Sequence, residues 1–384
     1  MTSRLSHRDR VLMVLNHEVP DRPPVDLGSS TASGINLMAY KRLKEYLGMP
    51  GPIRVQSERS LLAWPDEEVL ARFDVDLRMV VAPPPEEAAL QEIFEEAALA
   101  REATYTDMWG VTRRRPPHGH YYVTSAPFTR DDLGLADLDA HPWPAPKRPD
   151  RAGLRREAER LRRETDAALV VWVPIRFFSM GQFLCGFENW LVQLQANPEF
   201  CEELLERTLA IQMPGVEETL RAVGDLVDLL YFGDDYGMQS GPVISPTLFR
   251  RIFKPRMARL FEVVRQRSRA AIAMHSCGSI AALIPDFIDV GIQVLNPIQV
   301  AAAGMDTGRL KREYGRHLVF WGGIDTQQVL PRGTPGDVRA EVARRLADLS
   351  PAYLPMAVHN IQAEVPPENI VAMLDAIRGA RLRA

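Results

Sequence analysis

Apolar positions along this chain fall into two alternating patterns. Short runs of β-branched and apolar residues occur at PVDLG (24–28), VDLRMVV (75–81), LVVWVPI (169–175), LVDLLYF (226–232), AIAMH (271–275), IQVLN (292–296), LVFWG (318–322) and MAVHN (356–360). Longer segments between them carry the three-to-four residue spacing of amphipathic helices. Runs that are apolar throughout, separated by helices, are the pattern of a parallel sheet buried on both faces. Eight strands with seven or more helices predict an α/β fold, a (β/α)8 TIM-type barrel. Helix ends are also legible. Ser245-Pro246 caps the segment TLFRRIFKPRMARLFEVVRQRS, and Pro255 inside it predicts a kink or break. Pro366-Pro367-Glu368 opens a last helix, ENIVAMLDAIRGARL.

The opening MTSRLSHRDRVLMVLNHE places charges inside its apolar stripe and predicts an amphipathic helix, not a signal peptide. No run of about 18 apolar residues occurs elsewhere, so the expectation is a soluble, cytoplasmic protein without a membrane segment. Residues 83–149 depart from a bare barrel. They include PPP, RRRPPHGH and HPWPAPKRP, with Tyr121-Tyr122 between them. This predicts a proline-rich, partly β insertion over one face of a single domain spanning 1–384, with no short internal repeat.

Composition narrows the class. With 384 residues and 46% hydrophobic content the chain can bury a large core. A net charge of −4 gives no electrostatic footprint for nucleic acid. The local basic spot Arg113-Arg114-Arg115 reads as a solvated turn. Three cysteines cannot make a disulfide framework and suit a reducing compartment. Cys185 and Cys201 sit on helix-like stretches and read as core. His118 and His120 read as surface.

The polar residues matter because of where they fall. Strands end in Gly233-Asp234-Asp235-Tyr236-Gly237, His275-Ser276-Cys277-Gly278, Asn296-Pro297-Ile298-Gln299, Gly322-Gly323-Ile324-Asp325-Thr326-Gln327 and His359-Asn360-Ile361-Gln362. Carboxyl ends of barrel strands share one mouth, where such enzymes place their chemistry. Turn and capping duty would explain any one of these residues, but five consecutive strand ends favour a site. His275 and Cys277 lie at this mouth, and His359 reaches it from the last strand. A His2Cys set with one open position suits zinc as a Lewis acid. Asp234 or Asp235 would steer an imidazole or serve as a fourth ligand.

Several stretches resemble the uroporphyrinogen decarboxylase superfamily over essentially the whole length. They are Asp107-Met-Trp-Gly110, GDDYGMQSGPVISPTLFRRIFKP, MHSCGSIAALIPDFIDVGIQVLNPIQ, FWGGIDTQ and HNIQAEVPPENI. The chain resembles the zinc-dependent methylcobamide:thiol and corrinoid-linked methyltransferases more than the haem-pathway decarboxylase. That resemblance implies the barrel fold and a zinc held by a His-x-Cys pair and a distant Cys. His275 and Cys277 match the pair. The distant position, nine residues before Glu368, is His359 here. Imidazole in place of thiolate raises the charge of the set by one unit and makes a stronger Lewis acid. Such an ion could polarise the ether or hydroxyl oxygen of a methyl donor. Decarboxylases of the superfamily carry an arginine-rich stretch after the first strand, which can pair with porphyrinogen carboxylates. Here that place reads Pro24-Val25-Asp26-Leu27-Gly28-Ser29-Ser30-Thr31, without arginine.

The combined expectation is a methyltransferase moving a methyl group between a small substrate and a corrinoid or thiol carrier. Zinc would sit on His275, Cys277 and His359. Asp234 and Asp235 would serve catalysis, Asn296, Gln299, Asp325 and Gln362 would orient the substrate, and Arg176 would pair with a substrate carboxylate. A corrinoid would arrive on a partner protein, and a homodimer is left open. The alternatives are a metal-free porphyrinogen-type decarboxylase using Asp234 or Asp235, and a non-catalytic barrel that binds a ligand in its mouth.

Overall fold

The computed structural model describes residues 5–82 and 93–382. Among the described residues thirteen strands run in chain order: β1 (Ile35–Asn36), β2 (Arg54–Ser57), β3 (Leu62–Trp64), β4 (Leu77–Val80), β5 (Ala103–Thr106), β6 (Thr112–Arg115), β7 (Tyr122–Ser125), β8 (Ala168–Trp172), β9 (Leu229–Gly233), β10 (Ala271–His275), β11 (Val294–Asn296), β12 (Val319–Trp321) and β13 (Tyr353–Leu354). Seven of them make one parallel sheet in the order β13-β12-β11-β10-β9-β8-β4. Apart from the β4–β8 junction, each strand pairs with its predecessor in the chain, as helical crossovers require.

Side chains alternate across this sheet, and the alternation separates two cores. Leu230, Phe232, Met274, Leu295 and Phe320 face outward and pack with the helices. Leu229, Tyr231, Ala273, Val294, Val319 and Trp321 face inward and pack with one another from strand to strand. One face touching itself means that the sheet is curled, with a filled interior of the TIM type. Burial on both faces explains why the strands read as unbroken apolar runs.

The N-terminal helix α1 (His7–Leu15) closes one end of this interior. Ser6 caps it by accepting from the Asp9 amide, and Val11 and Val14 enter the inner cluster. Burying each of those valines stabilises by about 1.5–3 kcal/mol. The charges in its apolar stripe have partners. Arg10, fully buried, donates to Asp76 at 2.6 Å and to Asp21 at 2.7 Å, and Arg22 donates to Asp76 at 2.6 Å. No helix among the described residues is long and apolar enough to cross a membrane.

Two expected strands differ. Residues 24–28 form no regular strand. The Asp76 carboxylate takes the Val25 amide at 2.6 Å, while the Asp76 amide donates to the Val25 carbonyl at 2.8 Å. A side chain thus occupies a ladder position, and Gly28 at φ +83 turns the chain into the Ser29–Ser33 loop. Residues 24–36 still join the two sheet edges, through Asp76 on one side and the Ile35–Ile361 bridge on the other. The last strand forms at Tyr353–Leu354, upstream of MAVHN. Residues 356–360 continue it irregularly, with Val358 donating to Ile324 at 2.8 Å.

The helix break at Pro255 falls as expected, between helices Pro246–Ile252 and Lys254–Arg267, with Ser245 capping the first. The last helix is Pro367–Gly379. Within 83–149, Pro83-Pro84-Pro85 lie outside the described residues, and β5, β6 and β7 form an antiparallel sheet. Arg113-Arg114-Arg115 is not a solvated turn. It is the central strand β6, where two-residue periodicity buries Arg113 and Arg115 and exposes Arg114. Arg113 pairs with Asp107, and Arg115 donates to the Leu99 and Ala98 carbonyls. Cys185 and Cys201 are core, and His118 and His120 are exposed.

Asp26 is fully buried. Its carboxylate accepts from the Trp321 indole at 2.9 Å and the Ser29 amide at 3.3 Å. Burial pushes its pKa up to about 6, the donors from Ser29, Trp321 and Ser33 opposing. A folded-state pKa above the unfolded one favours folding below the unfolded value of about 4, and that contribution is lost as pH rises through 6. Asp26→Asn should therefore stabilise by roughly 3 kcal/mol at pH 8 and about half as much at pH 5, measured by chemical denaturation. A gain independent of pH would contradict this.

Candidate metal centre

The mouth lies at the carboxyl ends of β9 to β13. His275 is the last residue of β10, in register with Gly233 of β9 and Asn296 of β11. Cys277 follows in a loop that packs against the loop after β9. Two glycines make that contact: a Cβ on Gly278, at φ +87, would lie 2.4 Å from Gly237 backbone, and one on Gly237 would lie 2.5 Å from the Cys277 carbonyl. Only glycine fits at that distance, so the GDDYG and HSCG stretches are interlocked. The Cys277 amide donates to Asp235 at 2.8 Å and the Gly278 amide to Gln299 at 2.7 Å, which fixes the loop.

Both imidazoles are oriented from behind. Asn296, fully buried, accepts at Oδ1 from His275 Nδ1 at 2.7 Å and from the Tyr231 hydroxyl at 3.1 Å. Its Nδ2 donates to the Trp321 carbonyl at 3.2 Å, which settles the amide's orientation. An acceptor at Nδ1 places the proton there and leaves Nε2 bare. His359 Nδ1 meets Asn360 Oδ1 at 2.9 Å in the same way, and Gln362 donates to that oxygen. Burial and the neighbouring His275 lower the pKa of His359, which favours its neutral, ligating form. Cys277 Sγ stands 3.4 Å from His275 Nε2. One ligand atom from each of His275, Cys277 and His359 can be chosen so that all lie within 4.8 Å of one another. Two imidazoles with ring nitrogens tied to amide oxygens, plus one thiol, fit a tetrahedral metal with an open position.

The two aspartates differ. Asp234 is buried, and its oxygens accept the amides of Phe177 at 3.1 Å, Phe178 at 2.7 Å and Ser179 at 2.7 Å. It ties the chain after Arg176 to the end of β9. Burial raises its pKa, opposed by the Ser179, Tyr236 and Phe178 donors. Asp235 is exposed, 3.6 Å from His275 Nε2. Burial, with the charge of Asp235, pushes the Cys277 thiol well above its ordinary range.

Two cavities flank the centre. One of about 420 Å³ is lined by His275, His359, Asp235, Arg176, Trp172 and Phe183, among others. The other, about 160 Å³, is lined by Cys277, His359, Gln299, Asp325, Thr326 and Gln327, among others. His359 faces both. The structure thus brings Asp234, Asp235 and Arg176 to the larger cavity, and Gln299 and Asp325 to the smaller. Asp325 also caps the amides of Gln327 at 2.8 Å and Gln328 at 2.6 Å. Asn296 stands behind His275 and Gln362 behind Asn360, not in the lining of either cavity. Sequence reasoning missed Asn360, Tyr231 and Arg59. Asn360 had a signal, since it follows the candidate ligand directly; Arg59 had none.

A search of curated proteins finds no match. Among solved structures, a methyltransferase from Methanosarcina mazei superposes with a TM-score of 0.63 at 16% identity, covering 97% of this chain and 98% of that one. At that identity the likeness establishes the fold. The uroporphyrinogen decarboxylase (URO-D) family model matches residues 173–380, more than half the length and every strand end described above. The chain belongs to the uroporphyrinogen decarboxylase family.

Proposed function

We propose that this protein is a zinc-dependent methyltransferase that moves a methyl group between a small substrate and a corrinoid or thiol carrier. The observation that carries the reading is the convergence of His275, Cys277 and His359 between two cavities, with both imidazoles already oriented by Asn296 and Asn360. A transfer needs two reactants, and the three side chains are reached from two sides, His275 and His359 from the larger cavity and Cys277 and His359 from the smaller. The likeness to an archaeal methyltransferase supports the reading at the level of fold.

Zinc held on this set supplies Lewis acidity toward a bound oxygen or sulfur. The chain's own residues do the rest. Asn296 and Asn360 hold the ring protons at Nδ1, so that each Nε2 faces the centre. Asp235 anchors Cys277 through its amide and stands 3.6 Å from His275 Nε2. Asp234 acts one step back: by gathering the amides of Phe177 to Ser179 it aims Arg176 into the larger cavity. Gln299 and Asp325 line the smaller cavity, on the carrier's side. A porphyrinogen decarboxylase would need cationic partners for many carboxylates, and among the described residues the larger cavity offers two arginines without an ion pair, Arg59 and Arg176.

Three outcomes test this. The purified protein should carry about one zinc per chain; His275→Ala, Cys277→Ser or His359→Ala should strip it under mild chelation, whereas His359→Cys retains it. Retention in His359→Ala would remove that residue from the set. Asn296→Leu, which leaves all three ligands in place, should weaken zinc binding by about 10–100-fold in a competition titration; unaltered affinity would show that the imidazole needs no such support. Zinc-loaded protein should move a methyl group from methylcobalamin to a small acceptor, or from a small donor to cob(I)alamin, followed by corrinoid absorbance, and Cys277→Ser should not. Conversion of uroporphyrinogen to coproporphyrinogen as its main reaction would overturn the assignment.

A further inference from the structure

A cluster of three guanidinium groups surrounds one aromatic ring on the wall of the larger cavity. The Cζ atoms of Arg113, Arg59 and Arg176 lie 5.0, 5.2 and 5.9 Å from the centre of the Phe183 ring. They come from three distant places: β6, the turn between β2 and β3, and the chain after β8. Phe183 belongs to the helix Phe178–Cys185, whose start Asp234 holds.

The three differ in what balances them. Arg113 is buried and paired with Asp107, so it supports the ring from behind. Arg59 and Arg176 line the cavity. Among the described residues neither guanidinium has an ion pair or hydrogen bond, although Arg176 also stacks over Trp172 at 5.6 Å. Loss of water pulls the Arg176 pKa down; Asp234 and Asp235 oppose this, and Arg113 adds to it. Two facing cations without a partner repel, and fork-shaped donors recognise planar oxyanions best. Phe183 holds both forks at the cavity wall by cation–π contact, and Trp172 adds a second such contact for Arg176.

We infer that Arg59 and Arg176 form a clamp for the carboxylate of a small acid, and that the methylated reactant of the larger cavity is a monoanion. The inference rests on reading that cavity as the substrate side of the metal centre. Arg113 is neutralised by Asp107, and Asp234, which shares this cavity with Asp235, has both oxygens taken by the amides of Phe177, Phe178 and Ser179, so the two guanidinium groups left without an ion pair among the described residues match one carboxylate. Among the described residues a polycarboxylate would find no further unpaired arginine in this cavity. The absence of arginine just after Val25 argued against a porphyrinogen and leaves open a smaller acid held by arginines that the folded chain brings together.

The test is binding by calorimetry to zinc-loaded protein, with methoxyacetate and 4-methoxybenzoate set against their neutral counterparts 2-methoxyethanol and anisole. At least one acid should bind ten or more times tighter than its neutral partner. Arg59→Gln and Arg176→Gln should each weaken that acid at least tenfold while zinc content stays unchanged. Arg59 stands exposed at the rim, so its variant keeps the assay informative if Arg176→Gln fails to fold. Acids no tighter than neutral partners would overturn the clamp. So would acid binding that survives in both variants, since it would place the carboxylate on the metal. Acid binding without methyl transfer keeps the clamp and removes the methyltransferase reading; transfer from neutral donors alone does the reverse.

Discussion

One buried amide links the interior of this fold to its mouth. Asn296 sits at the end of β11 with no exposure to solvent, and its oxygen serves both His275 and the Tyr231 hydroxyl. Its nitrogen is committed to the Trp321 carbonyl, and the Trp321 indole is committed in turn to Asp26. An acceptor at that point decides which imidazole nitrogen is free, and the choice is made by packing before any ion arrives. A buried polar group of this kind costs about 1–3 kcal/mol if a partner is removed. Every bond from Asp26 to His275 therefore depends on the others.

The curled sheet makes such a chain achievable. Inward residues of seven strands fill the interior, with large rings such as Tyr231 and Trp321 toward the mouth and small or branched ones such as Ala168 and Leu77 near α1. At the α1 end, Arg10 and Arg22 share Asp76, and Asp76 also holds the segment 24–28 in the place where an eighth strand was expected. Removing one partner from a buried ion pair costs about 3–5 kcal/mol, so this corner fastens the sheet edges while the opposite end stays free for chemistry. Conserving rigidity at one end and open polar groups at the other is the division of labour that barrel enzymes follow.

Much of this was legible in the sequence because it is local. Apolar runs marked six of the seven sheet strands within a few residues, and the strand ends carried His275 and Cys277 together. His359 was found from its place at the end of the last run. What stayed hidden depends on contacts between distant segments. Residues 24–28 look like a strand, yet the side chain of Asp76, some fifty residues on, replaces part of the ladder. Arg113-Arg114-Arg115 looks like a solvated basic turn, yet a two-residue alternation on β6 buries two of the three. Asn296 looked like a group aimed at substrate, and its oxygen turns out to face His275. Arg59 carries no motif at all; only the fold sets it beside Arg176 and Phe183.

The central claim is that His275, Cys277 and His359 hold one zinc ion and leave a position open. X-ray absorption at the zinc edge of the purified protein reads this directly. The expected result is a four-coordinate shell with one sulfur at about 2.3 Å and three light atoms at about 2.0–2.1 Å, two of them carrying the outer-shell signal of imidazole. A shell without sulfur, one with two or more sulfurs, or protein that binds no zinc at all would contradict the account.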